Sequence, residues 1–248
     1  MPFGSDPWVC LSGGVDSQAA CLLMLAAEVK FRVAVLRFEN RLNAHDVDNA
    51  ILFCSHNELK YQVFDLNIHN FLRSKLNDYC EKYECPSPQI TSHLWLYEQL
   101  RDLGASCIVC GGNPPHLEGE KWRFNSNRSQ TAWTTFSTVN DQKMVGNFLG
   151  WSLDISLPLM LLQRGTNTYQ DKINAFWRSG LPVLPQKKKS TGFEVVKAKI
   201  NDAMKDGWAF EKMYRHPLYR RVPEYNSKLV LAPEIARKLT EDNRVFNP

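Results

Sequence analysis

Six residues near the start of the chain carry the strongest chemical signal: Ser12-Gly13-Gly14-Val15-Asp16-Ser17. Two adjacent glycines let the backbone turn tightly and approach a ligand closely, and successive N–H groups then point into one concavity, which suits a phosphate. The hydroxyls of Ser12 and Ser17 add hydrogen-bonding groups. Asp16 serves either as a helix cap or as an oxygen ligand that holds Mg²⁺ against phosphate oxygens. A Walker A loop would need Gly-x4-Gly-Lys-Ser/Thr, and no such run follows, so a standard P-loop NTPase is not expected.

Two further segments bear on a phosphate chemistry. Gln186-Lys187-Lys188-Lys189-Ser190-Thr191-Gly192-Phe193-Glu194 puts three lysines ahead of a glycine and a helix-capping hydroxyl. Lys187, Lys188 and Lys189 are the candidates to face a leaving phosphate group, the alternative being a solvated basic loop before a helix. Arg164 and Lys143 are weaker candidates, with no motif around them. Gly111-Gly112 is the second glycine pair; it reads as either part of the same ligand crevice or a tight turn with no ligand role.

These residues need a frame to hold them. Residues 8–11 read as a short buried strand, residues 17–28 as a helix, 31–38 as a strand rich in β-branched and aromatic residues, 45–59 as a helix and Tyr61–Leu66 as a strand. Residues 70–84 and 92–104 read as helices, and 105–110 as a fourth strand that stops at the second glycine pair. That βαβαβααβ order implies parallel pairing with right-handed crossovers, hence an α/β, doubly wound parallel sheet. In such a sheet the loops at the carboxyl ends of the strands share one crevice, which places residues 12–17 and 111–112 together. Beyond residue 112 the periodicity degrades through a polar stretch to about residue 140. Helical patterns return over 142–150, 169–179, 193–205 and 233–241. The expected organisation is a nucleotide-binding core over 1–112 and a mostly helical, irregular elaboration over 113–248, packed as one unit with it.

The seven cysteines raise a metal reading, through Cys107-x2-Cys110 and Cys80-x4-Cys85 with His93 and His116 nearby. Strand geometry opposes the first pair, because residues three apart in a strand point to opposite faces. Cys10, Cys21 and Cys54 read as small buried hydrophobes. Cys110, beside the expected crevice, is also a candidate persulfide carrier, with buried core the favoured reading.

Composition excludes whole classes. Of 248 residues, 44% are hydrophobic and 23% charged, which is ordinary globular composition and neither disordered nor collagenous. At this length the core needs no disulfide or metal. No apolar run approaches the roughly 20 residues of a membrane span, and the first residues lack the pattern of a signal peptide, so the expected location is the cytoplasm, with no membrane partner. The net charge of +4 is uneven: residues 186–248 carry +6 and residues 1–185 carry −2. Such a basic quarter faces either phosphates or solvent.

Taken with its place between a first strand and a first helix, Ser-Gly-Gly-Val-Asp-Ser resembles the PP-motif of the PP-loop ATP pyrophosphatase superfamily, which includes asparagine, GMP and NAD synthetases, pre-queuosine synthase and tRNA thiolation and lysidine enzymes. The resemblance covers all six motif positions and implies an adenine nucleotide alpha hydrolase-like, Rossmannoid core. It implies ATP and Mg²⁺, with Ser12, Gly13, Gly14, Val15, Asp16 and Ser17 around the β- and γ-phosphates, Gly111 and Gly112 in the same site, and Leu36, Arg37 and Phe38 beside the adenine. In that family a substrate oxygen attacks the α-phosphorus, pyrophosphate leaves, and ammonia, an amine or a sulfur donor displaces AMP. Related enzymes often carry Gly-Asp or Gly-His where this chain has Gly111-Gly112-Asn113, a departure from both. The favoured implication is an adenylating ligase that delivers nitrogen from free ammonia, a separate glutaminase or an amine to an unidentified acceptor. The alternatives are a tRNA- or nucleotide-modifying enzyme such as a thiolase, with tRNA a partner not favoured, a phosphoadenosine phosphosulfate reductase-like enzyme, and a non-catalytic nucleotide-binding module. A homodimer stays open.

Overall fold

A computed structural model describes residues 3–85, 87–114, 116–118, 121–123, 128–162, 169–186 and 193. The first strand, β1 (Pro7–Cys10), is followed at once by the glycine turn and by α1 (Val15–Ala26). Next come β2 (Arg32–Phe38), α2 (Ala44–His56), β3 (Tyr61–Leu66), α3 (Ile68–Ser74), α4 (Leu76–Lys82), α5 (Pro88–Asp102) and β4 (Cys107–Cys110). A small hairpin, β5 (His116–Glu118) with β6 (Lys121–Arg123), precedes α6 (Arg128–Val139), β7 (Met144–Val145), α7 (Leu153–Leu162) and α8 (Tyr169–Arg178).

Five strands form one sheet in the order β3-β2-β1-β4-β7, with every pairing parallel. The strand order runs outward in both directions from β1, so the switch point lies between β1 and β4, where Cys10 pairs with Cys110. The chain is therefore an α/β protein with a doubly wound parallel sheet, as the alternation of elements requires.

Strand alternation divides the apolar residues between two layers. Trp8, Ile108 and Cys110 face a cluster completed by Phe71, Tyr83, Leu94, Leu100 and Phe136, from α3 to α6. Val9, Cys107 and Val109 face the other way, into a cluster with Ala20, Met24, Phe53, Leu159, Ile173 and Phe176 from α1, α2, α7 and α8. Cys107 and Cys110 thus lie on opposite sides of the sheet, as strand periodicity dictates. Cys21 and Cys54 are fully buried in the second cluster.

Several local expectations are corrected. The helix expected over 142–150 is instead β7, paired with β4 through Ile108 to Met144 and Val109 to Val145, and a 3-10 turn at Phe148–Gly150. Pairing at the sheet edge there outweighs a weak helical preference. The single helix expected over 70–84 breaks at Lys75, whose φ of −125° and ψ of −14° end α3 before α4 begins. The helix expected from residue 92 starts at Pro88, because Ser87 caps it and proline fits the first helical position, which has no hydrogen bond to lose. The stretch from 113 to 140, which lacked clear periodicity, holds the β5-β6 hairpin and α6. The helices expected over 193–205 and 233–241 lie outside the described residues, apart from Phe193. No helix among the described residues is long and apolar enough to cross a membrane.

Candidate functional site

The glycine turn is shaped by two close approaches. Gly13 has φ +79°, a left-handed conformation, and a Cβ there would stand 2.2 Å from the Asp46 carbonyl oxygen of α2. Gly111, after β4, passes so near the first turn of α1 that a Cβ would lie 2.6 Å from the Asp16 carbonyl oxygen. The two glycine loops and the N-terminus of α2 are therefore packed backbone to backbone at the carboxyl edge of the sheet.

Within the turn, the Ser17 hydroxyl donates to the Gly14 carbonyl at 2.9 Å and accepts from the Ser12 N–H at 3.2 Å, while the Ser12 and Ser17 hydroxyl oxygens are 3.2 Å apart. Gly14 is the N-cap of α1 and has no side chain to cap it. The first N–H groups of a helix lack intrahelical partners, and the helix dipole favours an anion beside them. The Gly13 carbonyl is held from behind by the side-chain amides of Gln18, at 2.9 Å, and Asn49, at 2.6 Å.

The loop opens into a cavity of about 420 Å³ over the switch point. Ser12, Gly14, Val15, Asp16, Ser17, Leu36, Phe38, Gly111 and Gly112 line it. Gly13 is outside the lining and supports the turn from beneath. Arg37 is a correction: alternation along β2 directs it away from the cavity, and its guanidinium grips Asp65 on β3 in an exposed pair, 2.8 Å from Nη2 to Oδ2. That pair holds the Asp65 carboxyl below its ordinary pKa, mainly through the hydrogen bonds from Arg37. Lys187, Lys188 and Lys189 lie outside the described residues, as does Arg164; Gln186 and Phe193, which flank the lysine run in sequence, both line the cavity. Lys143 is exposed and is not part of the lining.

Three charged or polar contributors escaped sequence reasoning. Lys172 of α8 donates to Asp16 Oδ2 at 3.0 Å and lines the cavity; among the described lining residues it is the one Lys or Arg. Asp46 of α2 presents a second carboxylate, with Oδ1 accepting from Gln186 Nε2 at 2.8 Å. Gln18 clamps the approach to the lysine run: its amide accepts from the Leu184 N–H at 2.6 Å and donates to the Leu184 carbonyl at 2.9 Å. The one available signal was the amphipathic pattern of α8, which places Lys172 beside Ile173 at the layer boundary.

Opposite the glycine turn, α5 directs Gln89, His93, Leu96 and Tyr97 into the cavity, with Trp133 from α6. Desolvation carries the His93 imidazole pKa down to about 4, so it is neutral at physiological pH. Cys110 donates to the Tyr97 hydroxyl at 3.3 Å. The Cys110 thiol beside it and burial hold Cys10 well above its ordinary pKa, the reverse of what a thiolate nucleophile requires.

Comparison with known proteins adds similarities of fold. No family model and no curated protein matches the chain. Among solved structures, the chain is similar to a protein described as a predicted subunit of tRNA methyltransferase from Methanocaldococcus jannaschii, at 15% identity over 74% of this chain and 94% of that one, with a TM-score of 0.41. It is similar to glutamine-dependent NAD+ synthetase from Acinetobacter baumannii, solved with ADP, at 14% identity and a TM-score of 0.42; the match covers 92% of this chain and 44% of the synthetase, so this chain spans less than half of that protein's length. It is also similar to the U34-tRNA thiolase NcsA from Methanococcus maripaludis, at 11% identity over 87% of this chain and 72% of that one, with a TM-score of 0.37.

Proposed function

We propose that the chain is a PP-loop ATP pyrophosphatase that adenylates a substrate oxygen and releases pyrophosphate. The observation that carries this reading is the position of the Ser12–Ser17 turn. It joins β1 to α1 at the switch point of a parallel sheet, opens into the cavity, and is backed by Gly111 from the neighbouring strand.

The chemistry follows from the groups around that turn. The N–H groups at the start of α1 and the Ser12 and Ser17 hydroxyls bind the β- and γ-phosphates. Lys172 supplies a positive charge to the departing pyrophosphate, and Lys187, Lys188 and Lys189 add to it. No lysine sits within the turn to polarise the bridge between β and γ, so the α–β bond is the one positioned to break. Leu36, Val47 and Phe38 offer the adenine an apolar bed.

Asp16 and Asp46 present hard oxygen donors on the same side of the cavity, a donor set that fits Mg²⁺. The ion, when bound, screens the charge of the phosphate oxygens. Asp16 also positions Lys172, so this one carboxylate joins the two cationic requirements of the site. Delivery of nitrogen to the adenylated acceptor is the favoured second half-reaction, with thiolation the alternative. A test separates them: isotopically labelled ammonia should enter the product of an acceptor-dependent reaction, and labelled sulfide should not. Incorporation of sulfur alone would replace amidation with thiolation while leaving the adenylation step in place.

A further inference from the structure

Charge is distributed unequally across the cavity. Among the described lining residues, the charged side chains Asp16, Asp46 and Lys172 belong to α1, α2 and α8, all on one side of the sheet. The helices on the other side contribute Gln89, His93, Leu96, Tyr97 and Trp133, and none of these carries charge at neutral pH. A ligand over the switch point therefore meets a charged wall on one side and a neutral, partly aromatic wall on the other.

The neutral wall is built rather than incidental. Gln89, His93, Leu96 and Tyr97 recur at helical spacing, so one face of α5 presents them together. A helix packed on a sheet usually offers aliphatic side chains on its inward face, and α5 does so elsewhere, at Leu94 and Leu100. Trp133 is held across from them by its contact with Gly146, where a Cβ would come within 2.2 Å of the indole. The Tyr97 hydroxyl is fixed by Cys110. This wall combines flat apolar surfaces with an amide, an imidazole and a phenol.

We propose that the α5–α6 wall is the acceptor subsite and that it takes an uncharged planar ring bearing a carbonyl or amide oxygen, in preference to a carboxylate. The proposal rests on the ATP pyrophosphatase reading above and specifies its substrate class. The physical reason is desolvation: an anion brought against the described residues of this wall loses water without gaining a cation from them, whereas an amide oxygen exchanges water for the Gln89 and His93 hydrogen bonds and a ring covers Trp133 and Leu96. The phosphate chain keeps the opposite wall, while the adenine bed at Leu36 and Phe38 lies on the α5–α6 side, so base and acceptor are neighbours there.

The test uses two probes of one shape, benzamide and benzoate, titrated into the chain saturated with Mg²⁺ and α,β-methylene ATP. Binding of the nucleotide analogue is measured first; its absence would defeat the underlying reading and this inference with it. With the analogue bound, benzamide should bind at least about tenfold more tightly than benzoate, which by the usual conversion is 1.4 kcal/mol. Gln89→Arg should reverse that order, and Gln89→Lys asks the same question if the first variant fails to fold. Equal or tighter binding of benzoate by the unaltered chain overturns the proposal. So does failure to bind either ring, or displacement of the nucleotide analogue by benzamide, which would assign the wall to the nucleotide's own base.

Discussion

Lys172 Nζ stands 3.0 Å from Asp16 Oδ2, joining α8 to the first turn of α1 at the mouth of the cavity. Both side chains are about three-quarters shielded, at 21% and 25% exposure, so the pair is screened less than a surface ion pair. Asp16→Asn should lower ATP turnover by at least about tenfold with the fold intact, because it removes a phosphate-side carboxylate and releases Lys172. Lys172→Met should reduce kcat by a similar factor while changing ATP affinity less, since its charge is needed most as pyrophosphate departs. Steady-state kinetics on both variants decide it, and unchanged turnover at saturating Mg²⁺ would remove Asp16 from the site.

The glycine turn predicts a stability effect separate from catalysis. Gly13→Ala imposes a Cβ at φ +79° and against the Asp46 carbonyl, so neither rotation nor side-chain adjustment relieves it. Strain of this kind costs on the order of 2 kcal/mol or more. Urea denaturation should show that loss, and a cost below about 0.5 kcal/mol would mean that the turn has another shape.

How much of this was legible in the sequence differs by element. β3 was readable to the residue at Tyr61–Leu66, and the β1 turn α1 unit was readable because glycines and a strand make a local signal. β7 was not readable: two residues, Met144 and Val145, become a strand only because β4 offers an edge to pair with. Arg37 was misplaced by reading a segment instead of alternation, which sends Leu36 and Phe38 one way and Arg37 the other. Lys172 and Asp46 reach the turn from α8 and α2, and no local pattern encodes such a meeting. Ser87-Pro88, by contrast, was a legible helix start that the apolar periodicity obscured.

His93 predicts a pH dependence of stability. Its pKa falls from 6.5 to about 4 on folding through desolvation, so between those values the unfolded chain binds more protons than the native one. Native stability therefore rises with pH across that window and is lost on acidification, by on the order of 3 kcal/mol at most. His93→Gln should flatten the contribution between pH 4 and 6.5. Thermal unfolding at a series of pH values is the measurement, and an unaltered profile in the variant would contradict a neutral, desolvated imidazole.

The lysine run has its own kinetic signature. Replacing Lys187, Lys188 and Lys189 with alanine should depress the single-turnover rate constant for pyrophosphate release more than it weakens ATP binding, because the charge they meet develops in the transition state. A solvated basic loop predicts an unchanged rate constant. Rapid-quench measurement beside equilibrium ATP titration distinguishes the two outcomes.

The most direct measurement concerns which bond of ATP breaks. The chain is incubated with Mg²⁺, ATP labelled at the α-phosphorus, and a metabolite extract supplemented with bulk tRNA as the acceptor pool, and the first products are separated. The Ser12–Ser17 turn, without a lysine of its own, predicts AMP and pyrophosphate, consumption of β,γ-methylene ATP and no consumption of α,β-methylene ATP. ADP and orthophosphate as the primary products would contradict the account.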